Sequence, residues 1–240
     1  YYDAQLRPKG HTAEIIGTLE SVLQRNPDHA GALHLYVHAV EASSDPQRGA
    51  AAADKLRTLI PASGHLVHMP AHIYSRVGRW HDAVLVNQVA IKADEDYLAI
   101  CGKNVQGLYP LGYVPHNFHF LWFAASMEGA SKLARDAAEQ TRKRTDLAEL
   151  MRQPGFEGLQ HYWMTPWFDH VRFGRWNEIA GKPNPAPDLI YVTAIWHYAQ
   201  GMAALRLGRK DEAAAHLAAL QKGVADPKLL RPIAETLHAL

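Results

Sequence analysis

The sequence predicts an all-α protein built from consecutive helical hairpins. Turn residues recur at a fixed interval, since Ser44 and Gly78 are 34 residues apart and so are Gly174 and Gly208. The stretch 28–61 has the pattern of a helix, a short turn and a second helix that ends at a proline. Hydrophobic residues make up 48% of the chain, which is ample for a packed core.

A small or apolar residue follows each turn at a fixed place. These residues are Gly49, Ala83, Ala134, Ile179 and Ala213. A period of this length is typical of helix–turn–helix repeats, in which each hairpin buries its apolar face against its neighbours. The sequence therefore predicts a quasi-linear stack of hairpins.

Three stretches begin with a glycine and have an alanine five residues later: "GRWHDAVLVNQVAI", "GASKLARDAAEQT" and "GRKDEAAAHLAAL". With the 34-residue period, they resemble the tetratricopeptide repeat (TPR) superfamily, from about residue 12 to residue 226. The resemblance implies a right-handed α-solenoid of about five helical hairpins, occupying residues 1–240 as a single domain. Its concave face would be lined mainly by the first helix of each hairpin.

Irregular insertions interrupt the repeat at three places, about residues 96–114, 147–160 and 180–188. The first contains three glycines, a proline and three tyrosines, which favour a long loop. The third, within "AGKPNPAPD", is rich in proline.

Charge and cysteine content exclude several classes of function. The 25 Lys and Arg residues nearly balance 24 Asp and Glu residues, so no net field favours nucleic acid as a partner. The single Cys101 excludes an internal disulfide framework and thiolate zinc sites. No apolar run has the length of a membrane span. We therefore expect no membrane span, and any metal ligands must be nitrogen or oxygen atoms.

Eight of the 15 histidines fall at three positions of the repeat, namely 2, 5 and 9 when the turn residue is 15. They are His34, His38, His65, His68, His72, His116, His119 and His161. The spacing i, i+3, i+7 places such positions on one face of a helix. In TPR proteins that face points into the concave groove, so the resemblance implies a histidine-lined groove.

This pattern predicts a transition-metal site. Two pairs with i, i+4 spacing, His34/His38 and His68/His72, can each chelate one ion and are the expected inner ligands. Glu41, on nearly the same helical face as His34 and His38, is a candidate carboxylate ligand. The further ligand candidates are His65, His116 and His119, and other groove candidates are His161, Tyr74 and Arg76. A nitrogen-rich set suits Zn, Cu, Fe or Mn, and an open coordination position would permit metalloenzyme chemistry.

The sequence leaves two questions open, namely what the groove binds and how Pro70 affects the helix. The same groove could bind a peptide, a partner protein or a second copy of the chain without any metal, as a scaffold does. The effect of Pro70 is also open, because a proline either interrupts a helix or opens one at its first position. In the second case His65 and His68 would lie on a preceding turn.

Three motifs extend the resemblance beyond the repeat. "HLYVHAVE" (34–41), "GHLVHMPAHIY" (64–74) and "PHNFHF" (115–120) match HxYxHxxE, GHLxHMPxHIY and PHNxHF. They resemble, in the same order, a bacterial group of longer TPR proteins. That resemblance implies that the chain is the C-terminal part of a longer one. It also favours a periplasmic or secreted location over a cytoplasmic one, and it implies no particular reaction.

Overall fold

A computed structural model of the protein describes residues 1–102, 107 and 109–229. These residues form helices and connecting turns, with no strand among them beyond an isolated bridge between Tyr2 and Pro8. The helices are α1 (Thr12–Arg25), α2 (Ala30–Val40), α3 (Ala50–Leu59), α4 (Gly64–His68), α5 (Pro70–Val77), α6 (Trp80–Cys101), α7 (Val114–Glu128), α8 (Ser131–Thr145), α9 (Leu159–Trp163), α10 (Thr165–Arg172), α11 (Trp176–Ile179), α12 (Ile190–Arg206) and α13 (Lys210–Val224). The all-α prediction is confirmed.

Contacts divide the chain into two compact units, 1–129 and 130–240. The first unit contains every histidine of the three sequence motifs, on helices α2, α4, α5 and α7. The right-handed solenoid, the count of five hairpins and the single domain stay predictions.

The first unit is built from helices that pack on their neighbours in the chain. Helix α2 contacts both α1 and α3, while α4 and α5 pack on α6, which in turn packs on α7. Buried apolar residues such as Val37, Ile73 and Val86 fill the spaces between these helices. Burying an aliphatic side chain contributes about 1.5–3 kcal/mol, so this packing holds the histidine-bearing helices in register.

Two predicted turns end helices with a left-handed glycine. Gly78 closes α5 with φ 78°, and Gly129 closes α7 with φ 83°. A residue with a side chain is strained at such angles, whereas glycine adopts them readily. These positions explain why glycine recurs where the repeat places its turns.

Pro70 opens helix α5 but leaves the chain helical on both sides. Helix α4 ends at His68, and Met69 keeps helical dihedral angles of φ −50° and ψ −37° before α5 begins. His65 and His68 therefore lie on a helix rather than on a loose turn. The helical face that carries these histidines continues into α5. One backbone hydrogen bond is missing there, because Pro70 lacks an N–H group.

The predicted loop at 96–114 is wrong at both of its ends. Helix α6 continues to Cys101, and residues Tyr109–Tyr113 form a π-helical turn that leads into α7. Residues 103–106 and 108 of that stretch lie outside the described part of the chain. The residues that extend α6, "DYLAIC", contain no glycine or proline, and the first glycine of the stretch, Gly102, is the C-cap of that helix.

The second unit has its own core, formed around the tryptophans of α9 and α10. Met151, Met164, Ile179 and Val192 are among its most buried members. Residues 180–189 have no regular secondary structure. Among the described residues, no helix is both long enough and apolar enough to cross a membrane.

Candidate metal centre

Six histidines of the first unit form two groups that are close enough to hold metal ions. His68, His72 and His116 form the first, which we call the buried triad. His34, His38 and His65 form the second, the outer triad. Within each group, one ligand atom from each residue lies within 4.8 Å of the others.

The buried triad joins two helical segments to a third. His68 on α4 and His72 on α5 follow each other with i, i+4 spacing, and His116 comes from the first turn of α7. The Nε2 atom of His68 lies 3.0 Å from Nε2 of His72 and 3.1 Å from Nε2 of His116. Nε2 of His68 therefore lies close to the Nε2 atoms of both other histidines.

Asn87 on α6 determines which nitrogen of His68 carries the hydrogen. The amide nitrogen of Asn87 donates to the carbonyl of Ala83 at 2.7 Å, which orients the amide. Its oxygen therefore accepts from Nδ1–H of His68 at 2.7 Å. A neutral imidazole has one N–H, so Nε2 of His68 carries a lone pair.

Glu41 likewise determines which nitrogen carries the hydrogen in two further histidines. Its Oε2 accepts from Nδ1–H of His72 at 2.6 Å, and its Oε1 accepts from Nδ1–H of His38 at 3.1 Å. Both carboxylate oxygens thus contact Nδ1 atoms, on the side of each ring opposite Nε2. A carboxylate behind a histidine, holding its tautomer, is the usual outer partner of a metal ligand.

When both rings are neutral, these contacts leave His68 and His72 with two lone pairs facing each other at 3.0 Å. Two such nitrogens repel unless a cation lies between them. Two ligands of a tetrahedral ion with bonds of about 2.05 Å would be about 3.3 Å apart. The observed separations of 3.0 and 3.1 Å are close to that value.

Burial disfavours a proton on two of the three rings, those of His68 and His116. His68, His72 and His116 are 0%, 4% and 8% exposed. Burial, together with the neighbouring imidazoles, holds the pKa of His68 well below its ordinary value and lowers the pKa of His116 to about 3. Phe120 adds an apolar cover, with its ring centroid 4.6–4.7 Å from those of all three histidines.

The charge of Glu41 is maintained by the same cluster. Burial alone would raise its pKa, but the nearby His72 and the hydrogen bonds from His38 and His72 outweigh burial and lower the pKa to about 2. The carboxylate is therefore ionised across the physiological range. An anion at this place favours any cation held by the histidines.

The outer triad is partly exposed. Nε2 of His65 lies 3.2 Å from Nε2 of His34, and the ring of His38 lies 4.9 Å from that of His34. Tyr113, from the π-helical turn, packs edge-on against His65 at 4.5 Å. Burial and the neighbouring imidazoles lower the pKa of His65 to about 4.

No protein-family model matches the chain, and no curated protein matches it. A functional proposal for this chain therefore rests on the geometry of the two triads.

The structure regroups the expected inner ligands. His34 and His38 join His65, whereas His68 and His72 join His116, so the four do not form one group. Each pair instead meets a third histidine from another helix, since His34 lies 3.2 Å from His65 and His68 lies 3.1 Å from His116, measured between Nε2 atoms. Glu41 lies behind the rings rather than among the converging nitrogens.

Four other candidates lie outside both triads. His119 packs against Trp122 at 5.2 Å, because the i+3 position on α7 is turned away from His116 more than the i+4 position, where Phe120 lies. Tyr74 donates to Asp54 at 2.6 Å, and Arg76 is exposed. His161 belongs to the second unit, where its Nδ1 is 2.7 Å from the hydroxyl of Tyr191.

Sequence reasoning missed Asn87 and Phe120. Phe120 belongs to the motif "PHNFHF" and lies four residues after His116, so helical spacing offered a signal. Asn87, with Gln88 after it, interrupts an apolar stretch of α6, "AVLVNQVAI", and a buried polar side chain needs a hydrogen-bond partner.

Without metal, the protein should become less stable as the pH falls from about 6.5 to 4. The pKa values of His65 and His116 are about 4 and 3 when folded, against an ordinary value of 6.5. Between these values the unfolded chain binds protons that the folded chain does not, so the free energy of unfolding decreases as the pH falls. Urea unfolding of chelator-treated protein at pH 7.5, 5.5 and 4.5 measures this. Equal stability at all three pH values would contradict the prediction.

Proposed function

We propose that the protein binds a transition-metal ion through the Nε2 atoms of His68, His72 and His116. The observation that carries the proposal is the approach of two lone-pair nitrogens, on His68 and His72, to 3.0 Å in a buried place. Their hydrogens are committed to Asn87 and Glu41. A divalent cation between them removes the repulsion that the arrangement would otherwise retain.

The donor set limits the choice of ion. Three neutral imidazoles favour Zn, Cu, Fe or Mn over Ca and Mg, which prefer oxygen ligands. The only cysteine, Cys101, lies on α6 and belongs to neither triad. Three histidines also leave a tetrahedral ion one position for water or a substrate atom, as in catalytic zinc sites.

Metal analysis of matched variants tests the proposal. Protein is stripped with a chelator, dialysed against Zn(II) or Cu(II), and assayed for bound metal by mass spectrometry. His116→Ala should lose one ion per chain relative to the wild type. His119→Ala is the matched control, because His119 lies on the same helix, is equally buried and is outside both triads.

An unchanged metal content in His116→Ala would refute the proposal. Protein that binds no metal at all would also refute it and would favour the scaffold alternative, in which the groove binds a peptide or a partner protein. That alternative stays a prediction.

Asn87 supplies a second, separate prediction. Asn87→Leu should weaken metal binding about 10- to 100-fold, because His68 loses the acceptor that fixes its Nδ1–H tautomer. Asn87→Asp retains an acceptor oxygen and should recover most of the affinity. Competition with a chelator of known affinity gives both dissociation constants. Equal affinities for the Leu variant and the wild type would contradict the role of Asn87.

A further inference from the structure

We propose that His34, His38 and His65 form a second transition-metal site, linked to the buried triad by Glu41. The chain would then bind two ions, one that exchanges readily and one that is retained. This inference goes beyond the single ion of the proposed function.

The outer triad has the same construction as the buried one. Helix α2 supplies His34 and His38 with i, i+4 spacing, and α4 supplies His65. The ring centroid of His65 is 5.0 Å from that of His34 and 6.4 Å from that of His38. The Nε2 atoms of His34 and His65 come from two helices and are 3.2 Å apart. One ion between them could replace this direct contact.

Glu41 prepares the outer triad as it prepares the buried one. Because Oε1 accepts from Nδ1–H of His38, the Nε2 atom of His38 retains its lone pair for a ligand bond. The other oxygen does the same for His72. One carboxylate thus orients one histidine of each triad, and the rings of these two histidines lie 5.4 Å apart.

Exposure distinguishes the two sites. The side chain of His38 is 32% exposed, whereas that of His72 is 3% exposed. Water and chelators therefore reach the outer triad more easily. An ion held there should exchange faster than an ion held by the buried triad under Phe120.

Glu41 also couples the sites, and the sign of the coupling follows from charge. An ion on His72 makes its Nδ1–H a stronger donor and draws negative charge from Glu41 toward it. The hydrogen bond to His38 is then weakened, and the two ions repel each other. Both effects make the second ion bind less tightly than the first, and by linkage the penalty is equal in either order of binding.

Zinc stoichiometry in single and double variants tests the second site. By equilibrium dialysis, the wild type should bind two Zn(II) ions per chain, and His34→Ala and His116→Ala should each bind one. The double variant should bind none. His65→Gln, a milder change, repeats the test on the outer triad, and circular dichroism confirms that each variant is helical.

The outcomes separate this inference from the proposed function. A wild type that binds a single ion, or a His34→Ala and His65→Gln pair that each retain two, would overturn the second site. A loss in His34→Ala with no loss in His116→Ala would support the outer site and refute the buried one. Chelator challenge adds a rate: the ion left in His116→Ala should be removed at least tenfold faster than the ion left in His34→Ala.

Discussion

Zinc bound by the buried triad should raise the free energy of unfolding of the wild-type protein by about 4 kcal/mol, and His116→Ala should lose this contribution. A ligand present at a thousand times its dissociation constant, and bound only by the folded state, stabilises by about that amount. For a chain of this size, the increase in Tm is roughly 10 °C. Because the buried triad draws its histidines from α4, α5 and α7, the ion links α4 and α5 to a helix that is distant in sequence.

The matched variant is His119→Ala. His116 and His119 are both 8% exposed and lie three residues apart on α7, but only His116 belongs to a triad. His119→Ala should lower the baseline stability through its lost contact with Trp122 and leave the zinc increment intact. Thermal unfolding with zinc and with chelator measures both quantities. An equal zinc increment in His116→Ala and the wild type would refute ligation by His116.

Much of the site could be predicted from the helical period. The spacing of His34/His38 and of His68/His72 placed each pair on one face, and the structure brings all four into groups that are close enough to hold a metal ion. Periodicity identifies a face, however, and not the partner that the face meets. Which nitrogens converge depends on the axial offset between neighbouring helices. The packing of α4 and α7 against α6 sets that offset.

The residues around the ligands were harder to predict, because they come from outside the histidine stripe. Asn87 belongs to α6, on which no histidine of either triad lies. Glu41 was expected to be a ligand because a carboxylate near histidines often is one. Only the positions of its two oxygens, each facing an Nδ1–H, distinguish an orienting carboxylate from a coordinating one.

The glycine of the motif "GHLVHMPAHIY" carries the other large effect: Gly64→Ala should destabilise the first unit by about 3 kcal/mol or more. A Cβ atom at Gly64 would lie 1.8 Å from Oδ1 of Asp94 and 2.9 Å from the backbone carbonyl of Ala90. Asp94 is 1% exposed and accepts hydrogen bonds from Tyr109 at 2.6 Å and from Asn117 at 2.7 Å.

Relief of that clash requires one of two changes. Either Asp94 moves and loses bonds to a buried carboxylate, at about 1.5–3 kcal/mol each, or α4 moves away from α6. The second change would carry His65 and His68 with it, one from each triad. We therefore expect Gly64→Ala to lower the midpoint of urea unfolding and also to weaken zinc binding at both sites.

Gly17→Ala is the matched control for the glycine. Gly17 lies inside α1, and a Cβ atom added there would have nothing within 4 Å, so alanine should stabilise that helix by up to about 1 kcal/mol. Asp94→Ala provides the second comparison, because Gly64→Ala should cost less in that background once the nearest atom is gone. If Gly64→Ala proved as harmless as Gly17→Ala, the close approach of α4 to α6 would be wrong. The positions of His65 and His68 would then lose their structural basis.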